Sequence, residues 1–86
     1  MKAKGMENPK FDWPAIEKTI NEIQEMQYNR TLECARRIIP NLTTDDMLQP
    51  NDFPQLENHP HFRYEEGVLE GIRTVLTALR AQQKTK

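Results

Sequence analysis

The sequence predicts an all-α protein, a hairpin of two long helices joined by a long proline-rich connector that holds short helical turns. Two segments repeat apolar side chains every three to four residues, the period of a helix with one buried face. Between them, residues 40–60 carry four of the six prolines, which exclude a long helix there. We expect a flexible N-terminal tail over 1–10 and a single domain over 11–86, with helices at 13–39 and 61–82.

The first helix has a well-marked start and an apolar face that widens toward its end. Asp12 is placed to cap it, Pro14 suits its first turn, and Pro40 ends it. At 100° per residue its main stripe spans roughly 60°. This stripe consists of Ile16, Ile20, Ile23, Gln27, Thr31, Cys34 and Ile38. A second stripe, Tyr28, Leu32, Ala35 and Ile39, joins it only in the later half, so we expect that end to be buried on two sides.

The connector carries its own signals for short helical turns. Thr43 or Thr44 can cap a turn that runs through Leu48. The order Asp52-Phe53-Pro54 repeats Asp12-Trp13-Pro14 and predicts a second cap, aromatic residue and proline at a helix start.

The connector is not a solvated linker, because apolar side chains are interspersed in it, namely Leu42, Met47, Leu48, Phe53 and Leu56. A cluster around the connector is predicted to fold back over the helices, since a lean core can hardly leave four such side chains exposed. It consists of Phe53, Leu56, Phe62 and Tyr64. In the alternative interpretation part of this segment docks a partner.

The second helix has the strongest periodicity in the chain, and Glu65 and Glu66 suit its positive N-terminal end. Its apolar stripe, about 120° wide, consists of Val68, Leu69, Ile72, Val75, Leu76 and Leu79. Beside the stripe lie the small residues Gly67, Gly71, Thr74, Ala78 and Ala81. Each glycine inside a helix costs about 1 kcal/mol relative to alanine, which close helix packing would offset. In the alternative interpretation both glycines lie near a frayed helix start and have no role.

Two helices alone leave apolar surface without a cover. The connector or a second copy of the chain would supply one, and a symmetric dimer does so with one patch used twice. We therefore predict a homodimer that forms a four-helix bundle. The predicted interface residues are Gly67, Gly71, Thr74, Ala78, Tyr28, Leu32 and Ile39.

Two positions offer ligand or nucleophile chemistry. His59 and His61, with Glu65 nearby, have the side-chain types that bind Zn or Fe, although their spacing matches no recognised pattern. In the alternative interpretation one histidine caps the second helix. Cys34 lies on the apolar stripe and is interpreted as a core residue, because a nucleophile needs a base and exposure. No cofactor is predicted.

Composition excludes several classes of function. Twelve Lys and Arg against thirteen Asp and Glu give a net charge of −1, which lacks the basic footprint of a nucleic-acid or membrane-surface binder. No apolar run is long enough to span a bilayer, no signal core is present, and a single cysteine suits a reducing compartment. We expect a cytoplasmic protein.

The predicted function is that of a non-enzymatic protein–protein interaction module, a small adaptor, chaperone or regulatory subunit acting through helical faces. Amphipathic faces are present in the sequence, whereas a convergent set of catalytic groups is not. The alternative is a small metal- or ligand-binding helical protein that uses His59, His61 and the neighbouring carboxylates.

Overall fold

The computed structural model describes residues 12–84, which are helical throughout apart from short turns and contain no strand. Two long helices, α1 (Trp13–Ile38) and α4 (Pro60–Lys84), are joined by three short ones. These are α2 (Thr44–Met47), a 3₁₀ turn (Pro50–Asp52) and α3 (Pro54–Glu57). The prediction of an all-α chain with two long helices is confirmed for this range, whereas the predicted tail over 1–10 lies outside the described residues.

The two long helices pack antiparallel along most of their length. Arg80 contacts Glu17 at one end, Arg73 contacts Gln24 nearer the middle, and Glu65 contacts Gln27 toward the connector. The result is an elongated hairpin measuring 56 × 22 × 21 Å. None of its helices within residues 12–84 combines the length and the apolar character that crossing a bilayer requires.

Helix α1 begins and ends where its sequence signals indicate, within one residue. The Asp12 carboxylate accepts a hydrogen bond from the Ala15 backbone N–H at 3.1 Å, which satisfies one of the free donors of the first turn. At the other end Ile39 is extended, although the prediction had included it in the helix. The ring of Pro40 clashes with a helical conformation at the residue before it, so α1 stops at Ile38.

The core lies at the connector end of the hairpin. Its buried cluster joins the end of α1 to the connector and the start of α4, and consists of Leu32, Cys34, Ala35, Leu42, Leu56 and Phe62. Tyr28, Ile38, Ile39, Met47 and Phe53 pack against it. The connector therefore covers the wide apolar end of α1. From the sequence, either the connector or a second copy of the chain was expected to cover this end.

Capping differs between the two halves of the connector. Thr43 and Asp46 form a reciprocal capping box, in which the Thr43 hydroxyl accepts from the Asp46 N–H at 3.1 Å and the Asp46 carboxylate accepts from the Thr43 N–H at 3.0 Å. Asp52, which the repeat of Asp12 had predicted to cap, instead lies inside the 3₁₀ turn. Phe53 is the residue before α3 and no side chain caps that helix.

Helix α4 begins at Pro60, one residue before the predicted start. Proline suits the first helical position, because the N–H it lacks would have no partner there. The Phe62 backbone N–H donates to His59 Nδ1 at 3.4 Å, so His59 supplies a cap. Further along, Leu69 and Leu76 are buried against α1, whereas a methyl group added at Gly67 or Gly71 would meet no atom within 4 Å.

Candidate functional site

A buried polar network joins the two long helices in the half of the hairpin nearer the connector. Gln27 Nε2 donates to Glu65 Oε1 at 2.7 Å and to the Glu65 backbone carbonyl at 3.0 Å. The Thr31 hydroxyl lies 2.8 Å from the Gln27 carbonyl and 3.3 Å from the Glu65 carbonyl. All three residues are buried, with Glu65 only 5% exposed. The network ties α1 to α4 at one register, because its bonds form only when these three residues lie opposite one another.

The second oxygen of the Glu65 carboxylate lies at the edge of the network, toward solvent. His61 Nε2 is 3.3 Å from Glu65 Oε2, and Arg30 Nη2 is 3.7 Å from the same atom. The Gln27 hydrogen bond holds the pKa of Glu65 below its ordinary value against the opposing effect of burial, and Arg30 and His61 assist. Glu65 is therefore a buried carboxylate kept in its charged form by neutral and cationic donors.

Of the metal candidates, only His61 and Glu65 come together. His59 turns its Nδ1 atom to the Phe62 backbone N–H, which matches the capping interpretation. Within residues 12–84, no three His, Cys, Asp or Glu side chains lie close enough together to hold a metal ion. His61 and Glu65 therefore act in this structure as neighbours one helical turn apart.

A second feature is a run of exposed apolar side chains along one side of the hairpin. We call it the apolar face and define it as the exposed Ile23 and Met26 of α1, the exposed Tyr64 and Val75 of α4, and the partly buried Val68 between them. Ile23 is 47% exposed, Met26 and Tyr64 are each 66% exposed, and Val75 is 52% exposed. Between the two helices, all residues of the face except Val75 line a shallow groove of about 240 Å³, to which Glu65 and Arg30 also contribute. Four large apolar side chains are thus 47–66% exposed on one side of a small protein, a pattern typical of an interaction surface.

The structure divides the predicted interface residues between two places. Gly67, Gly71, Thr74 and Ala78 are exposed on the outer side of α4. Tyr28, Leu32 and Ile39 lie at the connector end of α1, where Leu32 belongs to the core cluster and the other two pack against it. The single chain therefore leaves the small residues without a cover and already covers most of the other three.

Cys34 lies in the core cluster and is 2% exposed. Burial raises the pKa of its thiol, and the nearby Arg37 guanidinium only partly opposes this. A buried thiol with a raised pKa behaves as a small apolar residue, in agreement with the interpretation from its place on the stripe.

Sequence reasoning missed the polar network and the apolar face. Gln27 and Thr31 had been placed on the apolar stripe of α1, and a polar side chain on a buried face needs a hydrogen-bond partner. The presence of Gln27 and Thr31 on a stripe expected to be buried was therefore a sign that a hydrogen-bond partner lies opposite them. Glu65 had been assigned to the positive end of α4, where an acidic residue needs no further explanation.

Compared with protein-family models, curated proteins and solved structures, the chain gives no significant match. Its function is inferred from the polar network, the apolar face and the distribution of charge.

Proposed function

We propose that this chain is a non-enzymatic protein–protein interaction module that acts as a homodimer, in which two hairpins pack through their apolar faces to form a four-helix bundle. The observation that carries the proposal is the exposure of Ile23, Met26, Tyr64 and Val75 on one side of the hairpin. Exposed apolar patches of this kind mark interaction sites on monomeric proteins.

The dimensions of the hairpin support this choice of partner. A stable interface buries about 800 Å² on each partner. The broad side of a molecule 56 Å long and 22 Å wide is large enough to supply that area. A two-fold symmetric dimer needs only one such surface, because each chain presents it to the other.

Charge distribution on the apolar face supports the same arrangement. Arg30 lies at the edge of the groove, where it pairs loosely with Glu65 at 3.7 Å. The Arg30 side chain is 67% exposed, so a second hairpin that packs on the apolar centre leaves its guanidinium hydrated at the rim and does not incur the cost of burying it. The face therefore offers an apolar centre with one charge pair that is already matched within each chain.

Light scattering on the purified protein at tens of micromolar tests the proposal. We expect the mass of two 10.1 kDa chains for the natural sequence and of one chain for Val75→Glu. Val75 is half exposed in the single chain, so a charge there is tolerated by the fold and opposes only burial against a partner.

Thr74→Glu provides the matched control. Thr74 is the neighbouring residue, is also β-branched and exposed, and points about 100° away along the small-residue strip. We expect it to remain dimeric. If Thr74→Glu separates the chains and Val75→Glu does not, the strip and not the apolar face is the interface. A single-chain mass for the natural protein would reject the dimer altogether.

A further inference from the structure

A more enclosed pocket lies where the connector meets the two long helices. We call it the connector pocket and define it by its apolar lining, which consists of Tyr28, Met47, Leu48, Pro50, Phe62 and Leu69. Its volume is about 200 Å³. Sites for drug-sized ligands usually start near about 300 Å³, so this pocket suits one or two side chains of a partner better than a free small molecule.

The connector pocket opens on the side of the hairpin opposite to the apolar face. At 3.6 residues per turn, Tyr28 points about 140° away from Ile23 on α1. On α4, Glu66 of the pocket wall points about 160° away from Val68 of the apolar face. A partner in the connector pocket would therefore not compete with a second hairpin on the apolar face.

Leu48 gives the pocket an exposed apolar rim. It is 77% exposed, the most exposed of the large apolar side chains between residues 12 and 84. It follows α2 directly, and the Thr43–Asp46 capping box holds that short helix in place. Leu48 is thus presented at the mouth of the pocket by an ordered turn, while Met47 beside it packs on the core.

The connector that forms one side of the pocket is acidic in sequence. Between Arg37 and Arg63 the sequence contains no Lys or Arg, whereas it contains Asp45, Asp46, Asp52 and Glu57. The wall formed by α4 is mixed in charge, because Glu66, Glu70 and Arg73 all line the pocket. Glu66 is paired with Arg63 at 3.1 Å, and Glu70 lies 3.8 Å from Arg73 in a longer contact. The negative charge of the connector itself has no cationic side chain within the connector to oppose it.

We propose that the connector pocket binds a basic protein segment in which one large apolar side chain is flanked by Lys or Arg. The apolar side chain would lie against the partly exposed Tyr28 and Met47 and cover Leu48. The flanking cations would lie beside Asp45 and Asp52, and such charge complementarity favours both encounter and choice of partner. This site lies outside the proposed dimer interface and adds a second class of partner to it.

Fluorescence anisotropy with a labelled peptide tests the proposal on the full chain. The probe is a short capped alanine peptide with one central leucine and lysines on each side of it, and the comparison peptide has alanine at the centre. We expect the leucine peptide to bind at least about tenfold more tightly, as burial of one leucine side chain provides. We also expect its affinity to fall as salt is added.

Paired variants separate the pocket from the rest of the surface. Leu48→Ala is expected to weaken binding of the leucine peptide about tenfold, whereas Met26→Ala, the same kind of change on the apolar face, leaves binding unchanged. The double variant Asp45→Asn with Asp52→Asn is expected to weaken binding. The control is the double variant Glu22→Gln with Glu25→Gln on α1, which changes the net charge by the same amount and is expected to leave binding unchanged.

Three results would overturn the proposal. They are equal affinity for the leucine and alanine peptides, equal effects of Leu48→Ala and Met26→Ala, and absence of binding by the natural chain at millimolar peptide. Masses from light scattering are measured on the same samples. A single-chain protein that still binds the peptide rejects the dimer and retains the pocket, and a dimer that does not bind rejects the pocket alone.

Discussion

Replacing Gln27 with leucine should destabilise the fold, because it removes the donor that holds a buried charge. Gln27→Leu keeps the approximate size of the side chain but deletes its bonds to Glu65 Oε1 at 2.7 Å and to the Glu65 carbonyl at 3.0 Å. A hydrogen bond to a charged group contributes about 1.5–3 kcal/mol, and a buried partner left unsatisfied costs its desolvation as well. We expect the free energy of unfolding to fall by about 2–3 kcal/mol, and the melting temperature by about 4–8 °C for each kcal/mol.

The double variant Gln27→Leu with Glu65→Leu supplies the decisive comparison. Removing both partners of a buried polar pair is often neutral or stabilising, whereas removing one leaves the other without its partner. We therefore expect the free energy of unfolding of the double variant to lie within about 1 kcal/mol of that of the natural chain. The double variant should be more stable than the single variant. The measurement is urea unfolding followed by far-UV circular dichroism at one fixed protein concentration, since dimerisation would add to stability.

Two results would refute this reasoning. One is a loss below about 0.5 kcal/mol for Gln27→Leu, the size expected of an ordinary surface change. The other is a double variant as unstable as the single one, which would mean that lost packing and not an unpaired carboxylate causes the effect.

The same network predicts how stability depends on pH. The pKa of folded Glu65 lies below its ordinary value of 4.5, chiefly because of the Gln27 hydrogen bond. Its ionised form therefore contributes stability that is fully present above about pH 4.5 and is lost as pH falls through the lower, folded-state pKa. Glu65→Gln should flatten this acid decline in urea midpoints. Arg30 and His61, which face the carboxyl, and the nearby Cys34 are left in place, so the comparison isolates Glu65.

Three further predictions use other parts of the chain. Gly67→Ala should raise the free energy of unfolding by about 0.5–1 kcal/mol, since the added methyl meets open space in a helix, and a decrease in urea unfolding experiments would contradict the exposure seen there. Cys34 should react with a thiol reagent at least about tenfold more slowly in the folded protein than in urea, because its thiol is buried with a raised pKa. Thr43→Ala should cost about 1 kcal/mol of stability through loss of the capping box, whereas Thr44→Ala, one residue later, should cost less.

Local sequence signals predicted the long helices well, because those signals act within a few residues. Asp12 and Pro14 mark the start of α1, and the clash that Pro40 imposes on its neighbour marks the end. Apolar periodicity then indicates the buried side of each helix only approximately, since Ile23 and Val75 lie on the predicted stripes but are 47% and 52% exposed. The result of this local information is a fold class and helix bounds within one or two residues of the structure.

Contacts between residues that are distant in the sequence could not be predicted from such local signals. Asp12 and Asp52 stand in similar local sequences, yet only Asp12 caps a helix, because the connector places Asp52 inside a 3₁₀ turn. Gln27 and Glu65 are 38 residues apart, and no local sequence signal near either residue predicts their contact. Such pairs depend on how the connector sets the register of the hairpin, and that is a property of the whole chain.

The apolar stripe of α4 shows why the partner surface needed the structure. A stripe about 120° wide indicates that more than one packing partner is needed to bury it. It does not indicate against which edge of the stripe the first partner helix packs. Here α1 covers Leu69 and Leu76 and leaves Val75 exposed. At 100° per residue Gly71 lies about 40° beyond Val75, so the small-residue strip and the apolar face meet along one edge of α4. In the proposed dimer that edge would let the second hairpin approach the backbone closely, and the glycine predicted from sequence to lie in the interface would lie at its border.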